Sequence, residues 1–138
     1  MASRAIHDLH PAVARRALAH MEVCKEQGIE LLIYCTYRST DEQDKLYAQG
    51  RTDPGKIITN ARGGQSTHQY RCAYDAVPVI NGKAVWDDLN LIIRVGQLGE
   101  TCGLEWAGRW SGKLKETVHY QYTGGYSINE LRLGKVPQ

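Results

Sequence analysis

Two short segments carry residue types that can hold a metal ion. Residues 66–77 read STHQYRCAYDAV and place His68 and Asp75 seven positions apart. Residues 116–122 read ETVHYQY and place Glu116 three positions before His119. Zinc takes nitrogen, sulfur and carboxylate-oxygen ligands in a tetrahedron, and a catalytic zinc leaves one position to water. His68, Asp75 and His119 would supply three protein ligands. In VHYQY a period of two sends His119 and Gln121 to one face and Val118, Tyr120 and Tyr122 to the other, so one face can pack while the other lines a cleft. On an unbroken strand Glu116 and His119 would point apart. A turn between them lets Glu116 reach a water at the metal, the place of a general base. Spacing alone leaves a plainer alternative open: a surface histidine, a hydrogen-bonded aspartate and a solvated Glu/His pair.

The elements that must position these groups follow from pattern. Pro11 suits the first position of a helix, in which Ala14, Ala17, Leu18, Met21 and Cys24 share a face, and Gly28 stops it. IELLIYCTY reads as a buried strand. Ser39 with Glu42, or Thr40 with Gln43, can cap a second helix that ends near Gln49 and Gly50. Residues 50–66, GRTDPGKIITNARGGQS, form a long connection of a kind that is often functional. A strand over about 73–80 follows, and Asn81-Gly82 marks a hairpin turn. Leu91, Ile92, Val95, Leu98 and Cys102 keep helical spacing between Asp88 and Gly103. GLEW and VHYQY are short strands around a Gly-rich, Trp-containing loop, and Ser127 with Glu130 opens a last helix. No βαβ phosphate motif occurs. The expected class is α+β: a small antiparallel β-sheet flanked by helices, one domain over residues 1–138.

With 138 residues, 42% of them hydrophobic and 23% charged, the chain has the usage of a globular domain with its own core. A net charge of +2 with scattered Lys and Arg argues against nucleic acid and supports only a weak attraction to an anionic polymer. No apolar run approaches a membrane span, so stable membrane insertion is not expected. MASRAIHDLHPAVARR has no apolar signal-peptide core; synthesis in the cytoplasm, with any outer target reached by another route, is the expectation. Cys24, Cys35, Cys72 and Cys102 form no C-x-x-C pair and read as small core residues. His7, His10 and His20 read as surface or capping groups.

The ordered set TYRSTDEQDKLYAQGRTDPGKIIT, STHQYRCAYDAVPV, GLEWAGRW and ETVHYQY resembles the zinc-dependent peptidoglycan peptidases. That family includes D-alanyl-D-alanine carboxypeptidases and the L-alanyl-D-glutamate endopeptidases used as phage endolysins. The likeness runs from about Leu9 to Leu133 and is nearest the endolysin branch. It implies a zinc cleft with His68, Asp75 and His119 as ligands, Glu116 as catalytic base, and Arg38 as a substrate-binding and transition-state residue. Ser66 and Gln43 become supporting polar groups of the substrate cleft. It further implies metal-assisted hydrolysis of the L-Ala–D-Glu bond in the peptidoglycan stem peptide, by a monomer that reaches the wall after holin-dependent release. Two alternatives use the same residues: a D-Ala-D-Ala carboxypeptidase, and a non-hydrolytic wall-binding module braced by zinc. Three ligands rather than four favour an open, catalytic ion. Trp106 and Trp110 either stack on sugar or belong to the core. One departure stands out: the family motif has Gly, then a small or apolar residue, where this chain has Arg71-Cys72. Arg71 calls for solvent or a carboxylate, with a changed local backbone or cleft charge.

Overall fold

His10 accepts a hydrogen bond from the Ala12 amide and Pro11 occupies the first turn, which together start α1, Pro11–Glu26, in the computed structural model; it describes residues 2–112 and 115–138. Gly28, at φ 76°, lets the chain turn out of the helix and into β1, Glu30–Cys35. A complete Ser39/Glu42 capping box starts α2, Thr40–Ala48. After residues 50–66 a short 3₁₀ turn, Thr67–Tyr70, leads into β2, Ala73–Ile80. Asn81 and Gly82, both at positive φ, close the hairpin to β3, Lys83–Ala84. Asp88 caps α3, Leu89–Thr101, and then come β4, Glu105–Trp106, β5, His119–Gln121, and α4, Ile128–Arg132, which opens with the Ser127/Glu130 box. Lys113 and Leu114 lie outside the described residues.

The sheet runs β1-β2-β5-β4 with β3 on β2, and every pairing is antiparallel. The α+β class is borne out. Register assigns the two faces. Ile33 pairs with Ala76, Leu31 with Pro78 and Tyr74 with Tyr120 on the face packed against α1 and α3. Asp75 pairs with His119 on the other face. A one-residue slip would exchange the faces, so burying Tyr74 and Tyr120, whose rings stack at 5.5 Å, is what turns Asp75 and His119 away from the core.

α1 departs from the expected face. Leu18 is 56% exposed, while Val13, Ala17, His20 and Cys24 are buried. His20 is thus a core residue rather than a surface group. The reason is full satisfaction of the neutral ring: Nε2 lies 2.8 Å from the Val95 carbonyl, which can only accept, and Nδ1 lies 2.8 Å from the Tyr74 hydroxyl. Burial pushes the imidazole down from 6.5 to about 4, with the Val95 bond opposing only in part. The unfolded chain therefore takes up this proton first. The resulting stability is complete above pH 6.5 and is lost as pH falls toward 4. A shift of that size corresponds to on the order of 3 kcal/mol. Urea midpoints measured from pH 7 to pH 4 should fall in the wild type and fall much less in His20→Gln; equal acid slopes would refute the assignment.

Trp106 closes the core at the other end. Its ring is held between α3 and the turn after β4 so tightly that a Cβ on Gly96 would lie 2.3 Å from it, and one on Gly108 2.2 Å. Its indole N–H donates to the Thr117 carbonyl at 2.8 Å and so fixes the approach to β5. Trp106 is thus core, not a sugar platform.

Arg71 ends the 3₁₀ turn in the left-handed region, at φ 61°, a backbone conformation in which glycine is free of strain. Its guanidinium leaves the cleft altogether, donating to the Asp8 carbonyl at 2.9 Å and lying 4.0 Å over the Tyr37 ring. Its partners are a carbonyl and an aromatic face rather than a carboxylate, and the cleft charge is untouched.

Candidate active site

On the open face of the sheet, Asp75 Oδ1 stands 3.2 Å from His68 Nε2 and 3.4 Å from His119 Nδ1. The outer nitrogens of both rings are committed. His68 Nδ1 donates to the Thr36 carbonyl at 2.7 Å, which leaves the Nε2 lone pair toward Asp75. His119 Nε2 lies 2.8 Å from Gln121 Oε1. The orientation of that amide is set by its other end, because Gln121 Nε2 donates to the carboxylate of Glu105 at 3.3 Å. Oε1 therefore accepts, from His119 and from the Thr67 hydroxyl at 3.0 Å, and the Nδ1 lone pair faces inward. Such outer partners fix the tautomer and aim of metal-binding imidazoles.

Two imidazole nitrogens facing one carboxylate oxygen leave a place for a positive charge. Without a metal, His68 supplies it. Burial works to lower its imidazole, but the Asp75 charge and hydrogen bond overcome that and lift it to about 10. Burial likewise works to raise the Asp75 carboxyl, but the positive charge on His68, ahead of the other contacts from the two rings, holds it well below the usual range. The spacing also suits an ion. Bonds of about 2.05 Å to a tetrahedral zinc place neighbouring ligands about 3.3 Å apart, between the two distances measured from Asp75 Oδ1. These residues fit zinc.

Cys35 forms an overlapping donor set: its Sγ, a His68 ring nitrogen and an Asp75 oxygen all lie within 4.8 Å of one another. Yet Sγ lies 3.8 Å from the Nδ1 that Thr36 occupies, and it accepts from Arg38 Nη2 at 3.3 Å. This donor set shares His68 and Asp75 with the one expected from the sequence and has Cys35 in place of His119. Cys24, Cys35 and Cys72 are buried as expected and Cys102 packs half-buried against the core, while a bulge in β1 between Ile33 and Cys35 pairs Cys35 with Asp75 at the site.

Glu116 sits on the solvent side, 44% exposed, with Oε2 3.5 Å from His119 Nδ1. The expected turn is present: the His119 amide bonds the Glu116 carbonyl at 3.3 Å. A carboxylate there can exchange protons with a water beside the ligands while taking no part in the Asp75 pairings. Arg38 closes the opposite side, with Nη2 3.6 Å from Asp75 Oδ2 and Nη1 donating to Gln43 Oε1 at 2.8 Å. Its Nε is buried and has no partner among the described residues.

Gln43 is fully buried; it donates to Thr59 Oγ1 and to the Ala61 carbonyl, at 3.2 and 2.8 Å. It therefore positions Arg38 against the 59–61 wall rather than facing the open cleft. Ser66 lines the cleft, and its hydroxyl accepts from the His68 amide at 3.2 Å, capping the turn that carries His68. The cleft measures about 790 Å³ and is walled by Tyr34, Arg38, Ile58, Trp110, Glu116 and His119 among others. Trp110 donates to Glu105 Oε2 at 2.7 Å, and its ring lies 5.7 Å from that of His119. Burial, then the charges of Asp75 and Cys35, push the Tyr34 phenol well above its ordinary value, with Arg38 opposing.

Sequence reasoning places His68, Asp75, His119, Glu116 and Arg38 at one site, and the structure brings all five together. It missed Thr36, Thr67, Cys35 and Tyr34. Gln121 carried a signal, because strand alternation puts it on the His119 face. The Thr36 contact is through backbone and has none.

Residues 6–125 match the family described as VanY, D-alanyl-D-alanine carboxypeptidase. The chain is 39% identical over 123 residues to the Bacillus subtilis peptidoglycan L-alanyl-D-glutamate endopeptidase CwlK, covering 83% of this chain and 73% of that one. In fold it is similar to the Serratia marcescens L-Ala D-Glu endopeptidase ChiX (TM-score 0.63, 19% identity, 89% of each chain). It is also similar to the D,D-pentapeptidase VanY of a VanB-type resistance cassette, solved with Zn(II) (TM-score 0.62, 16% identity, 90% of this chain and 83% of that one). With most of its length matched, and with that identity to CwlK, the chain belongs to the VanY D-alanyl-D-alanine carboxypeptidase family.

Proposed function

We propose that the protein is a zinc-dependent peptidase that hydrolyses the L-Ala–D-Glu bond of peptidoglycan stem peptides. The observation that carries this reading is the inward aim of His68 Nε2 and His119 Nδ1 onto Asp75, with an unligated carboxylate, Glu116, at the cleft mouth. The choice of bond is supported by the 39% identity to CwlK, an L-alanyl-D-glutamate endopeptidase.

When bound, zinc supplies Lewis-acid polarisation and a lowered pKa for water at neutral pH. His68, Asp75 and His119 would hold it, while Thr36 and Gln121 keep the two rings from turning. Glu116 takes the proton of the attacking water on a carboxylate oxygen and returns it to the departing amine. Arg38 stabilises negative charge growing on the scissile carbonyl oxygen. Its planar fork also suits a carboxylate-bearing peptide. Gln43 holds that fork in place.

A second reading, D-Ala-D-Ala carboxypeptidase, is supported by the description of the family itself. Mass spectrometry of digested muropeptides separates the two. Muramic acid left carrying L-Ala alone is the expected result; release of free D-Ala with the L-Ala–D-Glu bond intact would replace the first reading with the second. The role in the cell follows from this chemistry as part of the same proposal: a monomeric phage-type endolysin that is made in the cytoplasm, is released by a separate pore and acts on the wall. No helix among the described residues is long and apolar enough to cross a membrane, in keeping with dependence on such a route.

A further inference from the structure

The bulge in β1 has a second product. A regular strand would point Tyr34 and Cys35 to opposite faces. Here Ile33 still pairs with Ala76, but the next pairing is Cys35 with Asp75, so both Tyr34 and Cys35 stand against that single residue. Bulges re-aim side chains, often beside active sites. This one sets Tyr34 in the wall of the cleft, with Asp75, Cys35, Arg38 and Glu116 as its charged or ionisable neighbours. The ring is steadied from outside by Trp86, edge-on at 5.4 Å. The hydroxyl, by contrast, makes no hydrogen bond with any described residue. Its oxygen is not sealed in the protein and meets the solvent of the cleft, the space that a substrate would occupy.

We propose that the Tyr34 hydroxyl is a catalytic hydrogen-bond donor to the scissile carbonyl oxygen, acting with Arg38 as that oxygen becomes negative. The proposal rests on the peptidase reading above. The chemistry favours a carbonyl over a substrate carboxylate. Asp75 and Glu116 flank Tyr34 and repel a formal anion in the ground state, whereas a neutral donor gains strength only as charge develops, which is the condition for raising kcat rather than affinity.

Tyr34→Phe removes the hydroxyl alone and leaves the ring against Trp86. On whichever stem-peptide bond the wild type cuts, kcat is expected to fall about 10²-fold with KM within about twofold of wild type. Zinc content and thermal midpoint should be unchanged. A phosphinate peptide that mimics the tetrahedral state should bind the variant weaker by a similar factor, a comparison that needs no turnover. Unchanged kcat and phosphinate affinity would overturn the proposal. So would a loss confined to KM, or one that follows lost zinc or a lowered midpoint. Wild-type cleavage at another bond would overturn the L-Ala–D-Glu reading and leave this one standing.

Discussion

Glu116→Gln should lower kcat about 10³-fold, the middle of the range for loss of a general base, while zinc binding and thermal midpoint stay near wild type. The expectation follows from position. Glu116 is 44% exposed against 13% for Asp75, and it approaches His119 Nδ1 only to 3.5 Å. Its carboxylate is not needed to balance the buried charges, a role that Asp75 fills. The amide has the same shape and cannot take a proton from water. Measuring metal content beside muropeptide release decides between the alternatives. Wall cleavage that survives in the variant would remove Glu116 from the chemistry. Zinc lost together with activity would make Glu116 a ligand.

Asp75→Asn should be the more damaging change. The carboxylate is the only anion among the three groups that fit the ion, and it faces His68, His119 and Arg38 at 3.2, 3.4 and 3.6 Å. Loss of an outer-shell partner alone weakens metal sites by about 10- to 100-fold. Loss of a direct, charged ligand should exceed 100-fold, and activity should fall to background. The metal-free protein should suffer too, because the Arg38 guanidinium is left largely buried with no countercharge, a deficit on the order of 3 kcal/mol. Competition with a chromophoric chelator reads the first effect and urea unfolding of the metal-free form the second. Wild-type zinc affinity in this variant would exclude Asp75 as a ligand.

Much of this arrangement is legible in the residues themselves, and the limits of that legibility are physical. Helix starts are local: Ser39 with Glu42 and Ser127 with Glu130 cap their own amides, so their patterns hold whatever the rest of the chain does. Asn81-Gly82 is local in the same way. The face of α1 is not. Whether Leu18 or His20 goes inside depends on Val95 and Tyr74, distant in sequence, which satisfy both nitrogens of His20. Cys35 and Tyr34 follow the same logic. Strict alternation would have assigned them to opposite faces, and the extra residue in β1 is visible only once β2 lies beside it. The five principal site residues were accessible because order and motif stand in for geometry. Gln43, buried behind Arg38, shows that a motif can mark a position without disclosing which way its side chain faces.

The unbroken path from His119 through Gln121 and Glu105 to the Trp110 indole N–H has an optical consequence. Indole emission responds to charge a few ångströms away, and the imidazole ring here is 5.7 Å distant. Trp86 lies exposed and Trp106 is sealed in the core, so Trp110 is the fluorophore beside the His119 ring. Loading and stripping zinc should therefore change the indole emission, read in a cuvette without a label; emission that is the same in both states would place the ion away from His119.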